Sequence, residues 1–273
     1  MRRNKKGEPS QDEITQEFVG QNFDEYLSNY DAKRALSRED LKRLVRTLIY
    51  YAGLSLSTLE IGCGSGQLLA YLAAKNPDAQ FVGIDVNKPM INEAKSKVKK
   101  ASLENCELII ADGEKLPLRK GVFRLVLLMQ MLHHTHDIDV LANEVRKTIG
   151  SKGSLVVASC SHNQIRSSID IANFPGVLRN EMRRVPDLMA IKNLFEKKGF
   201  RVKACVEFAS SRRFGSYKHL TAWIRSIPFS TYAILPKPVF NKGLAICEKR
   251  LKRKYGDAEI VYLFCETLSF FQN

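Results

Sequence analysis

The chain has 273 residues, 44% of them apolar, and 43 Lys and Arg against 29 Asp and Glu give it a net charge of +14. That apolar share allows a sizeable core, and no apolar run reaches the roughly 18 residues that a membrane span needs. The charge favours anionic partners in general, but it is dispersed in short clusters that read first as solvated helix faces, KSKVKK (95–100), RNEMRR (179–184) and EKRLKRK (248–254).

In chain order, MRRNKKGEPSQDE has basic residues with no apolar stretch behind them, so it reads as a frayed tail rather than a secretory signal. Ser37 opens a helix, with Asp40 three residues on and Leu41, Leu44, Val45, Leu48 and Ile49 at helical spacing. STLEIG (57–62) is a short buried strand ending in glycine, and GQLLAYLAAKNP (66–77) a helix stopped by Asn-Pro. The pattern then repeats. QFVGID (80–85) is a strand, KPMINEAKSKVKKA (88–101) a helix, CELIIAD (106–112) a strand, and VFRLVLLM (122–129) a strand apolar almost throughout. IDVLANEVRKTIG (138–150) is a helix, GSLVVAS (153–159) a strand, VPDLMAIKNLFEKKGF (185–200) a helix and RVKACVEF (201–208) a strand. EIVYLFCETLSFF (259–271) supplies the last strand, in one piece or two.

Strands alternating with helices predict an α/β fold with a parallel sheet. Ligands of such sheets bind at the carboxyl ends of the strands, near the switch point. That rule gathers Gly62–Gly66, Asp85, Asp112, Gln130–His134 and Ser159–His162. The six cysteines stand singly, without a Cys-x-x-Cys pair, which speaks against a zinc site or disulfide framework and suits a reducing cytoplasm.

In LEIGCGSGQLL (59–69), Gly62, Gly64 and Gly66 lie in a strand-to-helix turn, where glycine lets a ligand approach the backbone. A dinucleotide fingerprint fits poorly, because its third glycine falls on Gln67. Glu60, two residues before the first glycine, suits a ligand bearing an ammonium better than a pyrophosphate. Asp85 can accept from ribose hydroxyls and Asp112 from an adenine amino group. Each feature alone is equally a tight turn or a helix cap. Acids at two successive strand ends beside a glycine loop are harder to attribute to caps.

The motifs LEIGCGSG, VGIDVNKPMI, ADGEKLP, FRLVLLMQMLHH and IGSKGSLVVAS, in this order over residues 55–160, resemble those of class I S-adenosylmethionine-dependent methyltransferases. The LHH sequence resembles the small-molecule subgroup of the ubiquinone/menaquinone-biosynthesis type (methyltransferase type 11). The resemblance implies a Rossmann-like, doubly wound, seven-stranded and mostly parallel sheet with helices on both faces and a helical lid insertion. It implies S-adenosyl-L-methionine as cofactor. Gly62, Cys63, Gly64 and Gly66 would hug its methionine part, with Glu60 near the amino group. Asp85 would hold the ribose, Val86 would pack on the adenine with Asp112 and Gly113 at its edge, and Gln130 and Met131 would lie beside the sulfonium. Two features depart from the family pattern. Gly150-Ser151-Lys152-Gly153-Ser154 stands in place of the usual Pro-Gly-Gly turn, and no Asn-Pro-Pro-Tyr motif follows the fourth strand, which argues against adenine or glutamine amide methylation.

Three of the five histidines lie in MLHHTHD (131–137). His134, with His133 as the close alternative, is placed to act as a general base on the acceptor, since imidazole titrates near working pH. A loop anchor is the competing reading. A metal site would need further ligands, Asp137 being the only acid in the stretch. His136 reads as a surface residue at a helix start, and His162 could face the same cavity from the other side.

The predicted organisation is a tail and capping helix over 1–35, a cofactor-binding domain over 36–208, a helical lid or acceptor region over 209–258 and the final strand or strands over 259–273. In the third part, Trp223, Phe229, Tyr232 and Phe240 are either lid core or acceptor contacts, and FDEYLSNY (23–30) could close the other side. The expected activity is O-, N- or C-methylation of a small molecule, with an apolar or an anionic acceptor suiting the aromatics and the positive charge. The alternatives are an RNA methyltransferase, favoured only by charge, and a non-catalytic protein that binds S-adenosylmethionine. There is no RNA-recognition signature and no aromatic-basic interleaving.

Overall fold

The computed structural model describes residues 30–53 and 56–273. After a short helix α1 (Tyr30–Arg34), Ser37 caps α2 (Arg38–Ala52), its hydroxyl oxygen accepting from the Asp40 backbone N–H at 3.0 Å. The apolar stripe of α2 is buried at Leu41, Leu44, Val45 and Leu48. Strands and helices then alternate, except that β3 leads to β4 without a helix: β1 (Ser57–Ile61), α3 (Gln67–Lys75), β2 (Gln80–Asp85), α4 (Lys88–Lys100), β3 (Cys106–Ile110), β4 (Phe123–Met129), α5 (Ile138–Thr148) and β5 (Ile149–Ser159). Short helices α6 (His162–Ser167), α7 (Ile169–Asn173) and α8 (Val177–Arg184) fill the stretch whose sequence shows little regularity. There follow α9 (Leu188–Lys197), β6 (Arg201–Phe214), α10 (Tyr217–Arg225), α11 (Ser230–Ala233), α12 (Lys237–Tyr255) and β7 (Ile260–Gln272).

The strands form a seven-stranded sheet in the order β3-β2-β1-β4-β5-β7-β6. Neighbours from β3 to β5 are parallel, and β7 runs antiparallel to β5, with Leu155 opposite Phe271. This is the mostly parallel, Rossmann-like sheet expected from the alternation. Alternate residues feed two separate cores: Leu125, Leu127, Val156 and Ala158 enter one, and Val126, Leu128, Leu155 and Val157 the other. A strand buried on both faces gains from apolar residues at every position, which accounts for the run Leu125–Met129 in β4. Two strands extend well beyond their expected bounds: β5 begins at Ile149 and absorbs the Gly150–Ser154 turn, and β6 continues six residues past 208. Of the two forms left open for the last strand, β7 takes the single one. Among the described residues no helix is long and apolar enough to cross a membrane.

By internal contacts the chain divides into two compact units. The sheet unit comprises Leu36–Gln164, Val185–Ser210 and Cys265–Asn273. The second, within the described residues, comprises 30–35, Ile165–Arg184 and Ser211–Phe264. Its own core is rich in rings, with Phe174, Tyr217, Tyr232, Phe240 and Tyr262 buried. Trp223 contacts Phe214, Phe229 and Tyr262 at ring separations of 5.4, 5.4 and 5.1 Å. Of the four aromatics left open between lid core and acceptor contact, Tyr232 and Phe240 are core, and Trp223 and Phe229 are half-buried. At the centre of this unit Asp170 is fully buried. It accepts from Tyr232 Oη at 2.8 Å, Tyr262 Oη at 3.2 Å and Ser168 Oγ. Of FDEYLSNY, only Tyr30 lies within the described residues.

Candidate functional site

The sheet order reverses between β1 and β4, where β1 connects onward to β2 on one side while β4 lies on the other. The loops leaving these two strands frame the candidate site. After β1, the Gly62 and Cys63 N–H groups both donate to Ile84 O, at 2.7 and 2.9 Å, which ties the glycine loop to the end of β2. Gly62, Gly64 and Gly66 all have positive φ. At Gly64 (φ 53°) a side chain would meet nothing within 4 Å, so the conformation there requires glycine and the backbone is open above it. Gly62 is covered instead: a Cβ there would lie 2.7 Å from that of Met131, which brings the β4 exit onto the glycine loop.

Asp85 closes the loop from the second strand. One carboxylate oxygen accepts from Gly64 N and the other from Asn87 N, each at 2.8 Å. Burial pushes its carboxyl up, while these two backbone donors pull in the opposite direction. A carboxylate offers about four lone-pair sites, so two remain for a ligand hydroxyl pair. Glu60, on β1, is 4% exposed, and its Oε2 has no hydrogen-bond partner among the described residues. Burial, aided by the charge of Asp85, pushes its carboxyl up to about 8. An orphaned buried acceptor is costly, and an ammonium donor would relieve it. Cys63 is buried too, and desolvation with the charges of Glu60 and Asp85 drives its thiol far up, so it contributes backbone rather than nucleophilic sulfur.

The remaining expected residues lie on the rim. Val86 is 73% exposed beyond β2. Asp112 is exposed beyond β3 and accepts from Glu114 N at 2.9 Å, and a Cβ on Gly113 would touch Ile61. Gln130 occupies left-handed backbone (φ 52°) without being glycine, a strained conformation of the kind that clusters at functional sites. Its N–H donates to Ala158 O at 3.1 Å, and its amide to Glu266 Oε2 at 2.5 Å. The histidine stretch begins as a single 3-10 turn, Leu132–His134, with the His133 and His134 rings 4.2 Å apart. His133 is half-buried and His134 exposed. Asp137 caps α5, accepting from Asp139 N and Val140 N. Among the described residues no group of three or more His, Cys, Asp or Glu is arranged to hold a metal. His162 Nε2 lies 3.2 Å from Val185 O and its Nδ1 3.7 Å from Asp187, which ties it to the start of α9.

Two acids that motif reading did not single out hold this frame. Glu114 accepts from His136 N at 2.7 Å and Asp137 N at 3.2 Å, pinning the histidine loop from the β3 side. Glu266 on β7 fixes Gln130 across 136 positions of sequence. Glu114 falls inside the quoted ADGEKLP motif, so it was within reach of a sequence reading; nothing local marks Glu266.

A family model described as a methyltransferase domain matches residues 55–215, more than half of the chain. Malonyl-[acyl-carrier protein] O-methyltransferase of Legionella pneumophila is 27% identical over 138 residues, covering 50% of this chain and 48% of the relative. Demethylmenaquinone methyltransferase of Lactococcus lactis is 28% identical over 158 residues, 56% of this chain and 62% of the relative. The chain thus spans about half to three-fifths of the length of these curated relatives. A solved structure of a SAM dependent methyltransferase from Aquifex aeolicus superposes with a TM-score of 0.54 at 20% identity, covering 67% of this chain and 92% of that one.

Proposed function

The chain belongs to the methyltransferase-domain family, and from that membership we propose that it transfers a methyl group from S-adenosylmethionine to a small-molecule acceptor. The observation that carries this reading is the buried Glu60 Oε2, without a partner among the described residues, together with the open backbone of Gly64 and the Asp85 carboxylate that accepts from it. These residues fit the cofactor's ammonium, its methionine chain and its ribose diol. Glu60 meets the ammonium, Gly64 lets the methionine chain approach, and Asp85 takes the ribose diol. Val86 offers apolar surface to the adenine, and Asp112 and Gly113 its polar edge. When bound, the cofactor supplies an electrophilic methyl on a sulfonium.

The chain's own residues align the acceptor and, where needed, move its proton. Met131, lying over Gly62, and the strained Gln130 mark the reactive end. His134, with His133 as alternative, is the proposed base. Small-molecule acceptors are supported by the curated relatives, one named for a malonyl group on acyl-carrier protein and the other for demethylmenaquinone.

Incubating the protein and methyl-labelled cofactor with metabolite extract, and searching by mass spectrometry for a labelled product, tests the reading. A labelled small molecule is expected, and His134→Ala should cut kcat by about 10²–10⁴-fold with cofactor binding retained. A protein that binds the cofactor but labels no small molecule, or labels RNA instead, overturns the proposal.

A further inference from the structure

Charge is unevenly spread along this chain. Residues 211–264 hold eleven Lys and Arg against three Asp and Glu, a surplus of eight in a molecule whose total surplus is fourteen. Most of it lies on α12, which carries seven cations and one acid, Glu248. Each of three helices of the sheet unit holds at least one local ion pair, Lys42 with Glu39 at 3.7 Å, Lys97 with Glu93 at 3.6 Å and Lys147 with Glu144 at 2.9 Å. On α12, among the described residues, no cation has a carboxylate within 4.0 Å, and Glu248 instead faces Arg225 at 3.9 Å. Lys249 and Arg253 stand four residues apart, as do Arg250 and Lys254, a spacing at which like charges destabilise a helix. The opposite face is spoken for, because Phe240, Leu244, Cys247 and Leu251 are buried in the aromatic core. What remains is an exposed stripe of Lys242, Lys249 and Arg253 with Lys252 beside it, on a 19-residue rod about 28 Å long.

The geometry points to α12 as a docking surface for an anionic lipid bilayer, with Lys242, Lys249, Lys252 and Arg253 lying against the headgroups. A bilayer that contains anionic lipids is planar and negatively charged, and it can meet a helix along its side. Val239, 49% exposed at the start of the rod, has an apolar side chain that a headgroup layer accommodates. Single-stranded nucleic acid fits less well, since it asks for rings on which bases stack. The one aromatic near the stripe, Tyr255, is half-buried with the Lys254 ammonium 5.1 Å from its ring centre.

Flotation of the full chain with vesicles tests this. Binding is expected to phosphatidylcholine vesicles containing about 30 mol% phosphatidylglycerol, falling as salt is raised, and not to phosphatidylcholine alone. Each cation at an anionic surface is worth about fivefold in partitioning. Lys242→Glu/Lys249→Glu/Arg253→Glu should therefore lower it by about 100-fold or more, with an unchanged melting temperature. If that variant melts early, the corresponding Gln substitutions replace it. Lys95→Glu/Lys99→Glu/Lys100→Glu on α4 changes net charge equally and should keep most of the binding. Equal partitioning onto neutral vesicles, no binding to either, or a matching loss in the α4 variant overturns the proposal. Tighter retention of a single-stranded RNA than of anionic vesicles also overturns it and reassigns the face to nucleic acid.

Discussion

Both units bury carboxylates, and two of them, Asp170 and Glu60, are treated in opposite ways. Asp170 in the aromatic unit is fully buried and receives three hydroxyl donors. Glu60 in the sheet unit is 4% exposed, with an oxygen that no described donor reaches. Both residues are removed from water, so the desolvation cost is similar. The difference is where compensation comes from. At Asp170 the fold supplies it, and the group works as a structural node that raises the Tyr232 and Tyr262 hydroxyls far above their ordinary range, through burial first and its own charge second. At Glu60 compensation is left to whatever binds.

The largest expected effect separates the two directly. Asp170→Ala strands two buried tyrosine hydroxyls and should cost about 3–5 kcal/mol of stability. Denaturant titration followed by the fluorescence of Trp223, the only tryptophan, reads the unit concerned. Cofactor affinity of the folded fraction should not move, and a loss below about 1 kcal/mol would remove Asp170 as a structural node.

Glu60 should show the reverse sign. Its folded carboxyl is raised to about 8 from 4.5. Its contribution is fully present below about pH 4.5 and is lost as pH rises through about 8, a decline on the order of 3–5 kcal/mol in the ligand-free protein. Glu60→Gln should flatten that part of the pH–stability curve, so that the variant melts above the wild type at pH 8 while binding the cofactor more weakly. Parallel melting curves for the two proteins from pH 4.5 to 8 would count against an orphaned carboxylate.

Asp85 lies between these extremes, with both oxygens partly used by backbone donors. Asp85→Ala should weaken cofactor binding by about 1.5–3 kcal/mol, measurable by calorimetry, and an unchanged affinity would take it off the ribose. The same instrument sharpens the reading of Glu60. An ammonium placed beside a carboxyl that is still protonated at pH 7 should expel about one proton, so the apparent binding enthalpy should depend on the ionisation enthalpy of the buffer. The smallest effect is expected at exposed Asp112, where Asp112→Asn should change affinity by less than about tenfold.

Much of this was written locally. The alternation of β1 through β5 with helices, the Ser37 cap and the Gly62–Gly66 turn depend on neighbours a few residues away, so periodicity and turn chemistry displayed them. The family, the fold and the cofactor class followed from motifs of the same local kind. Pattern also bracketed the candidate site, because strand ends in a parallel sheet converge whatever the side chains between them. What pattern could not supply was pairing across long separations. Asp170 lies in a stretch with little periodicity, and its partners Tyr232 and Tyr262 are 62 and 92 positions away. Glu266 meets Gln130 across 136 positions. Whether a buried carboxylate is satisfied depends on which donors the folded chain brings within about 3 Å of it. The sequence by itself determined that Glu60 would lie beside a glycine loop; only the tertiary structure decided that its Oε2 would have no donor among the described residues while Asp170 was given three.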